Sequence, residues 1–389
     1  MLRKFVVVAM ALAISLVGTI PVFAQSIEKD AGEGAVYIMS NSPAGNQVLA
    51  YDRAADGSLA FVGSFATGGL GSGVGTTVAP DPLGSQNSLI VAPDGRWVFA
   101  VNAASNDVSS FKVDSSGLRL VDRESSSGGY PVSLTYWNGL LYVLNAAGDG
   151  SISGFRVLPN GHLKPLKNST RSLHSATPAN GAQPQILESP AQVKFSPDGD
   201  FLVITDKGGV SGKGLIHVFT VSDDGLPAAN ATVTQTHDPV PFSLAFDRFG
   251  HPVVVDASTG SVTAYAIARN GSLSVKSVVF TGQAATCWIA FNGRFLLTDN
   301  TGSGTLSGFT SSHAGILAPV TPNSIVGATG KGTLPLDMGI SQDGRFEYSL
   351  EAGAGTIGIF RVNPDGTLTS LGTAGSFPAI SGFQGIAVR

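Results

Sequence analysis

Residues 88–120 read SLIVAPDGRWVFAVNAASNDVSSFKVDSSGLRL. An apolar run, Leu89 to Val91, meets the turn Pro93-Asp94-Gly95. A second run, Trp97 to Val101, ends at Asn102, and a polar loop leads to a third, Val108 to Val113. Ser116-Gly117 then turns the chain into a last strand at Leu118. Glycine tolerates positive φ and Asp or Asn bonds its own backbone, so both glycine-bearing positions read as tight turns. Four short strands in a unit that recurs every 40–50 residues, roughly, are the pattern of one propeller blade.

The unit is written seven times. Its first turn recurs at Asp94-Gly95, Asn138-Gly139, Asp198-Gly199, Phe249-Gly250, Asn292-Gly293 and Asp343-Gly344. Its outer turn recurs at Asp56-Gly57, Ser116-Gly117, Asn160-Gly161, Asp224-Gly225, Asn270-Gly271 and Asp365-Gly366. The aspartates of these turns are read as turn formers rather than as acids of a site. The N-terminal copy, from Ala35, has no inner strand before it, and the C-terminus, Gly385 to Arg389, has no strands after it. The expected fold is therefore all-β, a seven-bladed propeller of four-stranded antiparallel blades. The C-terminal strand joins the N-terminal blade and closes the ring, which removes an open sheet edge.

Arg3 and Lys4 precede an apolar run from Phe5 to Ile20, with Val22 and Ala24 placed as small residues before a cleavage point. That reads as a secretory signal peptide over residues 1–24, followed by a flexible segment 25–34 and one propeller over 35–389. The run is short for a spanning helix, so an exported protein, periplasmic or secreted, with no membrane span after cleavage, is expected. Charged residues are 13% and the net charge is −4, with no basic stripe, which excludes nucleic acid as an expected partner. The lone cysteine, Cys287, excludes an internal disulfide; it reads as packing beside Trp288. A monomer is expected.

In such a blade the innermost strand starts at the face where the second strand ends, so residues at these two positions should ring one mouth of the channel. The second-strand ends are Asn41, Asn102, Asn145, Asp206, Asp256, Asp299 and Glu351; the inner-strand starts are Gln384, Ser88, Ser133, Gln192, Ser243, Cys287 and Asp337. Amides and carboxylates cap strand ends and loop backbones, yet their clustering, with acids in blades four to seven, suits a pocket. Mutual repulsion raises the pKa of clustered acids and prepares one for acid–base work. Asp206, Glu351 and His237, in the loop before Phe242, are the candidate catalytic groups. Gln192, Asn102, Asn145, Asp256, Asp299, Asp337 and Lys207 are the candidate substrate-binding groups. His217 sits in a third strand and is set aside. No His/Cys cluster has zinc spacing and no metal ligand set is assigned; a Ca²⁺ ion on the channel axis is the one cofactor the acids could hold, although no loop has calcium spacing.

The blades at Ser88–Leu120 and Pro190–Leu226, with their Pro-Asp-Gly turns and outer Gly-Leu hairpins, resemble the seven-bladed propeller lactonase family. That family includes bacterial 6-phosphogluconolactonase and the 3-carboxy-cis,cis-muconate lactonizing enzyme. Asp81-Pro82-Leu83-Gly84-Ser85-Gln86, Pro190-Ala191-Gln192-Val193, Cys287-Trp288 and Pro335-Leu336-Asp337-Met338 look like an exported bacterial branch of it. The resemblance implies hydrolysis of a lactone or sugar-acid ester, and it implies a counterpart of the family's acid at Asp206. Its blade-four histidines are missing: Ser189 and Ala191 stand in the segment Glu188-Ser189-Pro190-Ala191-Gln192. The alternative is a non-catalytic propeller of the cell envelope that binds a small polar ligand or a protein through the same mouth.

Overall fold

A computed structural model describes residues 33–74, 81–175, 187–208 and 213–389. The stretch read as a signal peptide lies outside them. Among the described residues the chain is built from strands alone, in seven antiparallel sheets of four strands, the outermost strand being split in the third and sixth. The innermost strands, in ring order, are Ile386–Val388, Leu89–Val91, Pro131–Trp137, Pro190–Phe195, Pro241–Phe246, Thr286–Phe291 and Pro335–Ile340. No helix among the described residues is long and apolar enough to cross a membrane.

Closure follows the expected route. Ile386–Val388 pairs antiparallel with Gly34–Met39, in the register Val36↔Val388, Tyr37↔Ala387 and Ile38↔Ile386. The backbones of Ala35 and Arg389 exchange hydrogen bonds of 3.1 and 2.8 Å, and Met39 donates to Gly385 at 3.0 Å. Val36, Ile38, Ile386 and Val388 then pack with Phe346, Tyr348 and Leu350 of the last blade, so the closing strand also glues blade one to blade seven.

Blades stack face to face, and this sets the burial pattern. Second strands such as Trp97–Asn102 and Phe201–Asp206 are buried at every position because both faces are covered, whereas outer strands such as Leu59–Ala66 alternate between half-buried and exposed. At the outer turns the glycines hold a second role. A Cβ on Gly161, whose φ is +87°, would fall 2.2 Å from the Trp97 ring of the preceding blade. The turn aspartates behave as read: Asp56, Asp94, Asp343 and Asp365 accept backbone N–H groups two residues on, at 2.9 to 3.1 Å.

Deleting Gly385 to Arg389 removes the closing strand, exposes the edge of Gly34–Met39 and uncovers the Val36–Phe346 contact. The shortened chain should lose at least about 3 kcal/mol, a fall in melting temperature of roughly 6–12 °C at 2–4 °C per kcal/mol, and should aggregate on heating. Calorimetry of the two chains checks this; equal melting temperatures would show that closure carries little stability.

Candidate active site beside the plugged mouth of the channel

The mouth is not an open ring of polar groups. The connection from blade one to blade two drops Asp81 to Gln86 into the channel, where all six residues are buried. Peptide groups there have no bulk water and must be paired. Leu83 N–H donates to Gln384 Oε1 at 2.9 Å, and Gln384 Nε2 donates to Ser85 O at 2.9 Å. Trp288 Nε1 reaches the same carbonyl at 3.0 Å. Gln86 makes a two-way bond with the Ile289 backbone, at 3.0 and 3.3 Å. Ser133 Oγ donates to Gln86 O at 2.7 Å, Tyr130 OH to Pro82 O at 2.8 Å, and Lys207 Nζ to Gly84 O at 2.5 Å. The segment is thus tied to blades one, three, four and six and plugs the channel.

The expected mouth residues are where the alignment of blades puts them, with one shift, but they face protein. Asn102 donates to Asp107 and Ser109 at 2.6 and 2.8 Å and accepts from Thr67 and Asn46 at 2.6 and 3.0 Å. Asn145 donates to Ser126 O at 3.2 Å and to Ser151 at 3.4 Å. Asp256 accepts from the Val240, Ser258 and Thr259 backbones at 2.6, 2.9 and 3.1 Å. Glu351 accepts from Thr356 Oγ1 at 2.7 Å. In blade six the second strand ends at Asn300, which pairs with Thr286; Asp299 is one residue short of that position and turns toward blade seven, where Ser349 Oγ donates to it at 2.8 Å. His237 stands at the surface, its ring 3.0 Å from the neighbouring Asp238. Gln192 is buried and accepts from Leu244 N–H at 2.6 Å.

A common geometry explains these contacts. Asn102 pairs with Asp107, so Ser109 lies diagonally across on the same face, and Asn300 relates to Ser307 in the same way, at 2.9 Å. In blade four the diagonal partner of Asp206 is His217: their side chains meet at 3.1 Å, and Ser175 Oγ donates to the same carboxylate oxygen at 2.5 Å. His217 does sit in a third strand, as read; its place two residues beyond the partner of Asp206 was the available signal for this contact.

The inner strands open with bulges, at Pro131/Ser133, Pro190/Gln192, Pro241/Leu244, Thr286/Trp288 and Pro335/Met338. Bulges re-aim side chains beside sites, and here they free Phe242, Cys287 and Leu336 to line a cavity of about 290 Å³ between blades five, six and seven. Asp81, Leu187, Trp288, Ser258 and Thr301 complete much of its wall. Burial pushes Asp81 up to about 6, opposed by the Gly84 N–H and the Lys207 ammonium. Burial brings Lys207 down to about 8, opposed by Asp81 and then Asp206. The Lys207 Nζ also lies 4.8 Å from the centre of the Phe242 ring. Burial raises the Cys287 thiol, so it stays protonated at neutral pH. Asp81 is the residue that sequence reasoning missed as a site group, since its segment reads as an ordinary loop.

Further acids run outward from the plug. Asp337 accepts from the Met338 and Ile386 backbones at 2.8 and 3.3 Å, and burial raises it well above the usual carboxylate range. Burial likewise raises Asp299, Glu347 and Glu351, and among the described residues neither Glu347 oxygen has a hydrogen-bond partner. Among the described residues no three such groups converge closely enough to hold a metal ion.

Residues 76–239 match the family described as Lactonase, 7-bladed beta-propeller. A candidate 6-phosphogluconolactonase from Bacteroides fragilis superposes with a TM-score of 0.71 at 18% identity, over 92% of this chain and 98% of its own. One from Bacteroides uniformis gives 0.70 at 18%, over 91% and 99%. The periplasmic gluconolactonase of Pseudomonas aeruginosa gives 0.68 at 20%, over 90% and 98%. At these identities the likeness is one of fold. No curated protein matches the chain. The resemblance to the seven-bladed propeller lactonases holds.

Two variants test the electrostatics and the plug. A group whose folded pKa is raised keeps its proton after the unfolded chain has lost it, so its stability contribution falls as pH rises past its unfolded value near 4. The wild type should therefore melt higher near pH 5 than near pH 8, and Glu347→Gln should raise the melting temperature near pH 8 and leave it little changed near pH 4. Gln384→Ala removes two buried hydrogen bonds, leaving the Leu83 N–H with Asp81 Oδ1 at 3.1 Å and the Ser85 carbonyl with Trp288 alone, and should cost about 1–3 kcal/mol in denaturant unfolding.

Proposed function

We propose that the protein is a lactonase-like hydrolase acting on an uncharged lactone or sugar-acid ester in the cavity beside the plug. The observation that carries the reading is Asp81, a carboxylate in the wall of that cavity held near neutrality by burial, with the Lys207 ammonium close enough to perturb it. The family match over residues 76–239 supports the reaction class.

At neutral pH Asp81 is largely ionised and can accept a proton from water. Attack of that water on the carbonyl carbon and cleavage of the ring C–O bond give a hydroxy acid, the proton passing to Asp81 and on to the departing alkoxide. Lys207 is a positioning residue: held by Gly84 O, it lowers the pKa that burial would otherwise give Asp81 and stabilises negative charge in a dry site. Asp206, whose charge supports the Lys207 ammonium, is anchored by His217 and Ser175 and acts one step further back. The apolar walls, Phe242, Trp288 and Leu336, and the absence of arginine from the lining disfavour a phosphorylated substrate. The basic and apolar residues 3–24 support export, to the periplasm or beyond.

A second reading, a binding propeller without turnover, is favoured by one observation: the family's blade-four histidine positions hold Ser189 and Ala191, both buried. Acid release from a panel of sugar and aliphatic lactones separates the two. As a hydrolase, the protein should show a rate that rises with pH through about 6, the value for Asp81. Asp81→Asn should lose roughly 10²–10⁴-fold in kcat while remaining folded. Lys207→Met should move the ascending limb to higher pH, because a neighbouring cation has been removed. No turnover across the panel would favour the binding propeller.

A further inference from the structure

The opposite end of the channel is a different chemical space. There six of the seven inner strands end around a cavity of about 480 Å³, open to solvent on one side. The plug stops it at depth: Gln86 reaches its floor, and that side chain is already spent on the Ile289 backbone. Its wall is made of strand-end side chains such as Ile90, Phe195, Phe246, Phe291, Met338 and Ile340. These come from blades two, four, five, six and seven, so apolar side chains reach the cavity from most of the ring.

Among the described residues one charged side chain stands in that lining, Lys194, and no acid accompanies it. Lys194 lies on the innermost strand of blade four, paired with Val203, and is half-buried. Among the described residues its amine has neither a hydrogen bond nor an ion pair. Loss of solvation depresses its pKa, as expected of an ammonium set against apolar walls without a counter-charge. An unpaired cation in such a place costs free energy that an anion would recover. Gln86 and Asn87 aside, the other side chains of the wall are apolar and offer contact area to hydrocarbon.

We infer that this blind channel is a second binding site, separate from the plugged mouth, for a single-chain amphiphile with a carboxylate head: the alkyl chain lies along the inner strands and the carboxylate pairs with Lys194. A neutral alkyl chain would gain the apolar contact alone. A small hydrophilic anion would gain the charge alone, and a phospholipid with two chains exceeds a channel stopped by the plug.

Isothermal titration of the full chain with decanoate and with 1-decanol, both below their aggregation limits and near neutral pH, tests this. Decanoate should bind one per chain and at least about ten-fold tighter than decanol, the equivalent of about 1.4 kcal/mol. Lys194→Met, which keeps the length of the side chain and removes its charge, should abolish that preference, leave decanol binding unchanged and preserve the melting transition. Acetate should give no saturable heat. Ala290→Leu, which narrows the wall away from the amine, should weaken both alkyl ligands. Saturable binding absent for decanoate, or a preference that survives in Lys194→Met, overturns the inference.

Discussion

The peptide groups of Asp81 to Gln86 have to be satisfied inside a channel from which they exclude water, and much of the molecule's asymmetry follows from that constraint. A ring of seven similar blades offers similar surfaces all round, but a single strand of chain crossing its axis meets each blade at a different atom. The blades answer with different residues at equivalent depth: a glutamine from the closing blade at 384, a serine at 133, an indole at 288 and an ammonium at 207. Each is a donor or an amide, and each spends a donor on the plug. Buried donors and acceptors of this kind are expensive when orphaned, so the plug and the inner strands specify one another.

Filling the axis moves the chemistry off it. With the centre of the mouth occupied, the space left is the lateral cavity where three inner strands open with bulges, and the plug contributes its one carboxylate, Asp81, to that wall. The same plug makes the far side of the channel blind, and among the described residues Lys194 is the one charge in its lining. One connection thus leaves two separate compartments, one with a carboxylate in its wall and one with an ammonium.

The architecture was legible because it rests on local chemistry repeated at a fixed period. Turn dipeptides such as Asp94-Gly95 and Asp343-Gly344 mark hairpins on their own, and the incomplete copies at Ala35 and Gly385 could only complete each other. The second-strand ends were legible as positions, Asn102, Asn145, Asp206, Asp256 and Glu351 all lying where counting placed them. Blade six slipped by one residue because Asp299 and Asn300 are both polar and the count alone does not choose between them. What side chains do at those positions depends on the diagonal residue of the next strand, which is why Asp206 with His217 was not seen as a pair. The destination of the connection after Thr67 carries no periodic signal at all: Asp81-Pro82-Leu83-Gly84-Ser85-Gln86 has the composition of any surface loop, and only the tertiary positions of Gln384, Trp288 and Lys207 reveal that it turns inward.

Native-state hydrogen exchange at the Leu83 and Gly84 amides tests the central claim most directly. These N–H groups bond to Gln384 and to Asp81 within the channel, and the plug is here an integral part of the ring. Their exchange should therefore require the same opening free energy as the slowest amides of the inner strands. Exchange as fast as that of the outer turns, with the inner strands still protected, would mean that the segment leaves the channel in the folded protein, and the division into two compartments would fall.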